Sequence, residues 1–298
     1  MKNAILFENQ PAIEIGDGSN RLVVAPEQGA NLLLWQRETR EIIARARNVG
    51  GKVRGGDPIL FPFIARHFVE GKRDFWRGLD GTVRAMPMHG FARTAKFTVI
   101  EDGVENSLRM RLTDSDQTWP LYPFAFQFDV VVALHSGSRL EIRFETTNRG
   151  KTIMPYDAGH HFYLAVPHGE RADWALDLPC ASWGWQNPDG SIRQEPAADN
   201  VLRLDDSGLI DRFQIQPLAA DIALVNRRAE RRLVFELKHP GSVPWYAVTT
   251  WTEFPESDFF CVEPWLGLPN AIHHGQGLRR LAPGETETAT CIINAAEW

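Results

Sequence analysis

Leu140-Glu141-Ile142-Arg143-Phe144-Glu145 is the stretch from which the fold is read. Apolar and charged residues alternate along it with a period of two, as in a strand that turns one face to a core and the other to water. Leu108-Arg109-Met110-Arg111-Leu112 repeats the pattern, and Phe124, Phe126 and Phe128 carry it with Ala125 and Gln127 between them. Working outward, such segments are separated by turn signals: Asp17-Gly18, Asn48-Val49-Gly50-Gly51, Asp102-Gly103, Ser136-Gly137, Asn148-Arg149-Gly150, Pro188-Asp189-Gly190, Pro240-Gly241 and Pro283-Gly284. Only 40–47 reads as briefly helical. The Gly- and Arg-rich stretch 67–87 and the Asp- and Pro-rich stretch 188–206 read as long loops. A succession of strands with almost no helix excludes a doubly wound or TIM-barrel architecture. The expected fold is all-β, one large antiparallel β-sandwich spanning 1–298 as a single domain.

Composition narrows the function. Hydrophobic residues make up 43% of the 298 and charged residues 23%, a globular balance. With 32 Lys+Arg against 38 Asp+Glu the net charge is −6, so electrostatics offers no reason to expect nucleic acid or an anionic membrane as partner. The longest unbroken apolar runs, 130–134 and 162–166, fall far short of the roughly 20 residues a spanning helix needs. At the N-terminus Glu8 interrupts the apolar residues too early for a secretory signal. Cys180, Cys261 and Cys291 are odd in number and widely spaced, which points to buried thiols in a cytoplasmic protein, with neither a disulfide framework nor a cysteine zinc site.

Candidate chemistry is scattered along the chain. In Phe259-Phe260-Cys261-Val262-Glu263-Pro264-Trp265 a lone carboxylate sits within an apolar run, and Pro264 biases Glu263 toward extended backbone. Desolvation there would raise its pKa toward neutrality, as suits a general base; the alternative is a carboxylate on the wet face of a strand end. His89, in Met86-Pro87-Met88-His89-Gly90-Phe91-Ala92-Arg93, is either a ligand-binding histidine or a satisfied structural one. His160 and His161 begin another strand, and neighbours there point to opposite faces, so one metal or substrate can hardly engage both. No metal-binding spacing occurs. Arg66 follows the apolar Phe61-Pro62-Phe63-Ile64-Ala65 and could fork onto hydroxyls or phosphate. The 10 Trp and 17 Phe suit either sandwich core or stacking on sugar faces.

Taken together and in order, the phrases APEQGANLLLW (25–35), LFPFIAR (60–66), MPMHGFAR (86–93), YPFAFQF (122–128), LEIRFETTNRG (140–150), GHHFYL (159–164), IDRF (210–213), FCVEPWLGLPNA (260–271) and LAPGE (281–285) resemble the aldose 1-epimerase (galactose mutarotase-like) family over essentially the whole chain. The resemblance implies a supersandwich with a sugar site on its concave face, no metal and no organic cofactor. It implies a small-molecule sugar as partner and a monomer or homodimer. Carried over, Glu263 falls on the general base, His161 on the general acid, and His89 on a second active-site histidine that binds and polarises the sugar. Arg66, Asp211 and Arg93 fall on substrate-binding positions. Phe162 stands where relatives often have proline or threonine, and Ala65 where glycine is frequent. The implied activity is interconversion of α and β anomers. The other readings are a hexose-6-phosphate mutarotase, with Arg66, Arg93 or Lys72, Arg73 and Arg77 meeting the phosphate, and a non-catalytic sugar-binding sandwich. Glycoside hydrolysis is a poorer fit, because it usually needs two carboxylates and only Glu263 is well motivated, with Asp211 a poor second.

Overall fold

A computed structural model of the chain describes residues 2–49, 51–101 and 103–298; Gly50 and Asp102, each part of an expected turn, lie outside them. Two large antiparallel sheets carry the architecture. One has eleven strands, running in space through Lys2–Phe7, Gln10–Gly16, Asn20–Ala25, Asn31–Arg37, Arg40–Ile43, Phe162–Leu164, Phe260–Trp265, Ala247–Trp251, Arg212–Pro217, Cys180–Gln186 and Ile192–Pro196. The other has nine, with Phe126–His135, Arg139–Asn148 and Thr286–Glu297 at its centre. Helix among the described residues is confined to the single turn Ala271–His274 and three short 3-10 turns. None is long and apolar enough to cross a membrane.

Strand Arg139–Asn148 alternates half-buried and buried residues without a break, and it pairs Phe144 with Val130 and with Ala289 on its neighbours. The core lies between the sheets, where Phe128, Ile142 and Phe144 meet Phe162, Val248 and Val262 of the facing sheet. Strand Phe260–Trp265 is buried at every position because both of its faces are covered. Its even-numbered residues Phe260 and Val262 face that core. Cys261 and Glu263 turn away from it.

Three local expectations are corrected. The stretch 40–47 is not helical: Arg40–Ile43 is a strand that returns on Asn31–Arg37, with Ile43 opposite Trp35 and Glu41 opposite Gln36, and Arg47 opens a further strand, Arg47–Val49. Two adjacent β-branched isoleucines buried in a hairpin outweigh weak helical propensity. Stretch 67–87 is built of two small hairpins, Phe68–Val69 with Lys72–Arg73 and Phe75–Arg77 with Val83–Ala85. Trp76, fully buried, anchors it by donating to the Leu121 carbonyl at 2.9 Å. Stretch 188–206 likewise contributes strands Ile192–Pro196 and Val201–Arg203, one to each sheet edge.

Candidate active site

A cavity of ≈ 360 Å³ opens on the face of the eleven-stranded sheet that points away from the core. Its wall brings together Arg66, His89, Arg93, His161, Asp211 and Glu263, all six of the positions that the family resemblance carried over. They come from five separate chain segments, so only folding assembles them.

Glu263 reaches the cavity because its strand is held in register, opposite Thr249 on one side and with Val262 opposite Phe162 on the other. His161 enters from the residue before strand Phe162–Leu164. Its neighbour His160 turns the other way, into the core, where it stacks between Phe144 and Phe162 with ring centroids 4.5 Å away on each side. The alternation expected of adjacent strand residues is therefore realised, and it is His161 that faces the cavity. The His161 ring stacks on Tyr163 at 4.8 Å and meets Trp251 edge-on at 5.7 Å.

His161 Nδ1 lies 3.5 Å from Glu263 Oε1. Neither His161 Nδ1 nor Glu263 Oε2 has a hydrogen-bond partner within the protein, although both are buried. Burial pushes the Glu263 carboxyl well above its usual pKa, with the charges of Asp211 and Asp57 adding to the effect. Burial and then the positive charges of Arg93 and Arg54 push His161 down to about 3. Both shifts favour the uncharged forms, so the pair's shared proton rests on the carboxyl. A pair with one proton to give and one lone pair to receive is acid–base machinery in waiting.

His89 and Ala65 clamp each other. The Ala65 N–H donates to His89 Nδ1 at 3.1 Å, and the His89 N–H donates to the Ala65 carbonyl at 2.8 Å. Both residues take the left-handed backbone conformation. Because Nδ1 accepts, Nε2 carries the proton and is the donor left for a ligand. Gly90 next to it is required by close approach: a Cβ there would meet the Phe61 carbonyl oxygen at 2.1 Å. Phe61 in turn stacks on Phe128 at 4.2 Å, an anchor of about 1.5–3 kcal/mol that ties this rim of the cavity to the core.

Arg66 and Asp211 face each other electrostatically. Desolvation raises the Asp211 carboxyl while the Arg66 charge opposes it. Arg93 sits in the 3-10 turn Ala92–Thr94, with its guanidinium desolvated and without a carboxylate partner among the described residues. Arg54, which the sequence reading passed over, also lines the cavity, gripping Glu253 through two hydrogen bonds of 2.6 and 2.7 Å. Lys52, Tyr163, Trp185, Trp251 and Trp265 complete the wall. Strand periodicity could have found Tyr163 and Trp251, two residues from His161 and Thr249 on the same face. Nothing local marks Lys52 or Arg54. Lys72, Arg73 and Arg77 are absent from the wall, and Arg77 pairs instead with Glu70 at 2.6 Å.

His161, Cys261 and Glu263 also bring donor atoms within 4.8 Å of one another. The Cys261 thiol is held protonated by burial and by the neighbouring Glu263, and it lies behind the cavity wall rather than in it. The trio is therefore a poor metal cradle, since a cation would have to strip that proton in a desolvated setting.

The chain is similar to known proteins in family and in fold. The family described as aldose 1-epimerase matches residues 11–294. Protein LacX (plasmid) of Lactococcus lactis subsp. lactis is 25% identical over 247 residues, covering 74% of this chain and 77% of that protein. Among solved structures, the Slr1438 protein of Synechocystis sp. PCC 6803 superposes with a TM-score of 0.83 at 23% identity, covering 100% of both chains. A galactose mutarotase related enzyme from Lactobacillus acidophilus superposes with a TM-score of 0.79 at 23% identity, covering 95% of this chain and 97% of that one. At these identities the two structures establish the fold, which is galactose mutarotase-like.

Proposed function

This chain belongs to the aldose 1-epimerase family, and from that premise we propose that it is a mutarotase acting on a small sugar, with Glu263 and His161 as its acid–base pair. The observation that carries the reading is the 3.5 Å approach of His161 to Glu263 in the cavity wall, with His161 Nδ1 and Glu263 Oε2 buried and without a hydrogen-bond partner within the protein. The cavity falls within the range of about 300–1,000 Å³ common to small-molecule sites, and its indole rings offer flat apolar surface to the faces of a sugar ring.

In the reaction, the Glu263 carboxylate takes the proton of the anomeric O1 hydroxyl while the His161 imidazolium gives one to the ring oxygen O5. The C1–O5 bond breaks, leaving an open-chain aldehyde. Rotation about C1–C2 exposes the other face, and closure returns both protons with the roles reversed. Since burial favours the shared proton on the carboxyl, the working form is reached by passing it to the imidazole. His89 donates from Nε2 to a sugar oxygen, and Arg66 and Asp211 hold further hydroxyls. No metal or organic cofactor is needed. The proposed setting is cytoplasmic, as a monomer or homodimer without nucleic-acid or membrane partners.

One observation favours an anionic sugar, such as a hexose 6-phosphate, over a neutral one. Arg93 is desolvated in the cavity wall beside Arg54 without a carboxylate of its own, an arrangement that an anion would stabilise. Neutralising Arg93 would also relieve one of the charges that lower His161.

Freshly dissolved α-anomers of neutral sugars and of hexose 6-phosphates, followed by polarimetry or NMR exchange, test both readings. Expected is acceleration that drops roughly 10²–10⁴-fold in Glu263→Gln. Equal turnover in the variant would remove Glu263 from the mechanism. Binding without acceleration on any sugar would make the protein a non-catalytic sugar binder.

A further inference from the structure

We infer that Asp57 is a positioning residue of this site: one buried carboxylate fixes the backbone of His161 and the ring of His160 together, and sets a negative charge behind Glu263. The inference rests on the mutarotase reading for its kinetic consequence, though not for its geometry.

Asp57 is fully buried. Its Oδ1 accepts the His161 backbone N–H at 2.7 Å, and its Oδ2 accepts from His160 Nδ1 at 2.8 Å. A single side chain thus holds both histidines whose side chains leave the backbone in opposite directions. The carboxylate is itself held rigidly. Its own N–H is shared between the Leu32 carbonyl at 2.9 Å and Asn31 Oδ1 at 3.0 Å. Gly56 before it has φ 79°, and a Cβ there would meet both of those oxygens at 2.7 Å, so this approach excludes a side chain at that position. The Gly56 carbonyl in turn accepts the Tyr163 N–H at 3.0 Å, stitching the segment beside the strand that follows His161.

A purely structural account would have Asp57 satisfy one backbone N–H in the core. Two features go beyond it. With Nδ1–H given to Asp57 and Nε2 unpartnered in an aromatic stack, the His160 ring makes its single hydrogen bond among the described residues to Asp57. Asp57 also acts on the site across the sheet, since its charge is among those that raise the proton affinity of Glu263. The other groups facing Glu263 are Cys261 on its own strand, His161 and Tyr163 on the adjoining one, and Asp211 across the cavity. Of the cavity's cations, Arg93 and Arg54 act on His161 and Arg66 on Asp211, with His89 beside them.

The sign follows directly. Removing the Asp57 charge lets Glu263 release the pair's shared proton at lower pH, so the alkaline limb of the kcat/KM profile should move down. In Asp57→Asn that midpoint is expected to fall by about one pH unit, with kcat reduced about tenfold, a part of the roughly 10²–10⁴-fold that a positioned acid–base pair contributes. His160→Asn, whose amide can still donate to Asp57, keeps the charge and should leave the midpoint in place. A limb that stays put in Asp57→Asn, with lower melting temperature in both variants, would reduce Asp57 to a fold residue and overturn the inference. The intact protein supplies a second test that needs neither a folded variant nor turnover. The NMR signals of the His161 amide proton and the His160 ring proton, both bonded to Asp57, should titrate together with the Glu263 carboxyl. Constancy of both signals while Glu263 titrates would overturn the inference even in an active enzyme, and their movement in a protein without mutarotase activity would separate this result from failure of the functional reading.

Discussion

The outer face of the nine-stranded sheet and the cavity on the eleven-stranded sheet are furnished with the same residue types, arginines and carboxylates, and they use them in opposite ways. On the outer face Asp129 accepts from Arg109 at 2.8 Å and from Arg111 through two bonds of 2.8 Å, while Arg109 also donates to Glu145 at 2.6 Å and Arg143 donates to Glu145 and Glu141. Burial works to raise Glu145, but hydrogen bonds from Arg109 and Arg143 outweigh it and hold the carboxyl below its usual value. In the cavity Glu263 goes the other way, and Arg93 has no carboxylate partner among the described residues. The difference teaches that charge alone does not mark a site. Charge left desolvated and unpaired does, because a fold gains nothing from such a group unless a ligand completes it.

The strongest way to break this contrast is at the two histidines. His161→Asn should lower kcat by roughly 10²–10⁴-fold, as loss of a general acid does, whereas His160→Asn should cost far less; steady-state mutarotation rates decide, and the reverse order would exchange their roles. Next in size is Asp129→Ala on the paired face. Stripping a buried carboxylate from two arginines should cost about 3 kcal/mol of stability, measured by urea unfolding, with mutarotation unchanged. A loss of activity there would mean that the two faces are coupled. The effect that is smallest per unit of change sharpens the comparison through pH. His67 is buried without a partner for Nδ1, and burial lowers its pKa to about 3. The unfolded chain protonates it near 6.5 while the folded chain keeps it neutral, so its contribution is full above pH 6.5 and is lost as pH falls toward 3. His67→Phe, next to Phe63, should flatten the dependence of stability on pH by about 1 kcal/mol per pH unit in that window. A slope unchanged from the parent would show that His67 is reached by water in the folded state.

Legibility followed the same division. Arg139–Asn148 could be read directly because one of its faces meets water, and its ion pairs sit where the alternation places them. Phe260–Trp265 shows no alternation, since both faces are covered, yet the anomaly of a carboxylate inside that run is what drew attention to Glu263. Misreadings fell where local and tertiary preferences diverge. Residues 40–47 lacked a decisive period, and Arg40–Ile43 took its strand from the partner Asn31–Arg37, while the hairpins of 67–87 are held by Trp76, whose anchor at Leu121 lies far along the chain. Asp57 escaped notice altogether, because an aspartate between Gly-Gly and Pro looks like an ordinary turn.

What the amino-acid order determined by itself was the class of fold, through a period of two that only half-buried strands require, and five of the six cavity residues together with the His160–His161 pair, through phrases whose order matches a family. What only the tertiary structure decided was which histidine faces the cavity, that Arg93 is left unpaired, and that Asp57 ties both histidines from behind. The physical reason is that periodicity records which side of a strand is wet. Proton affinity and pairing depend instead on groups brought within a few ångströms from remote parts of the chain, as His161 and Glu263 are at 3.5 Å.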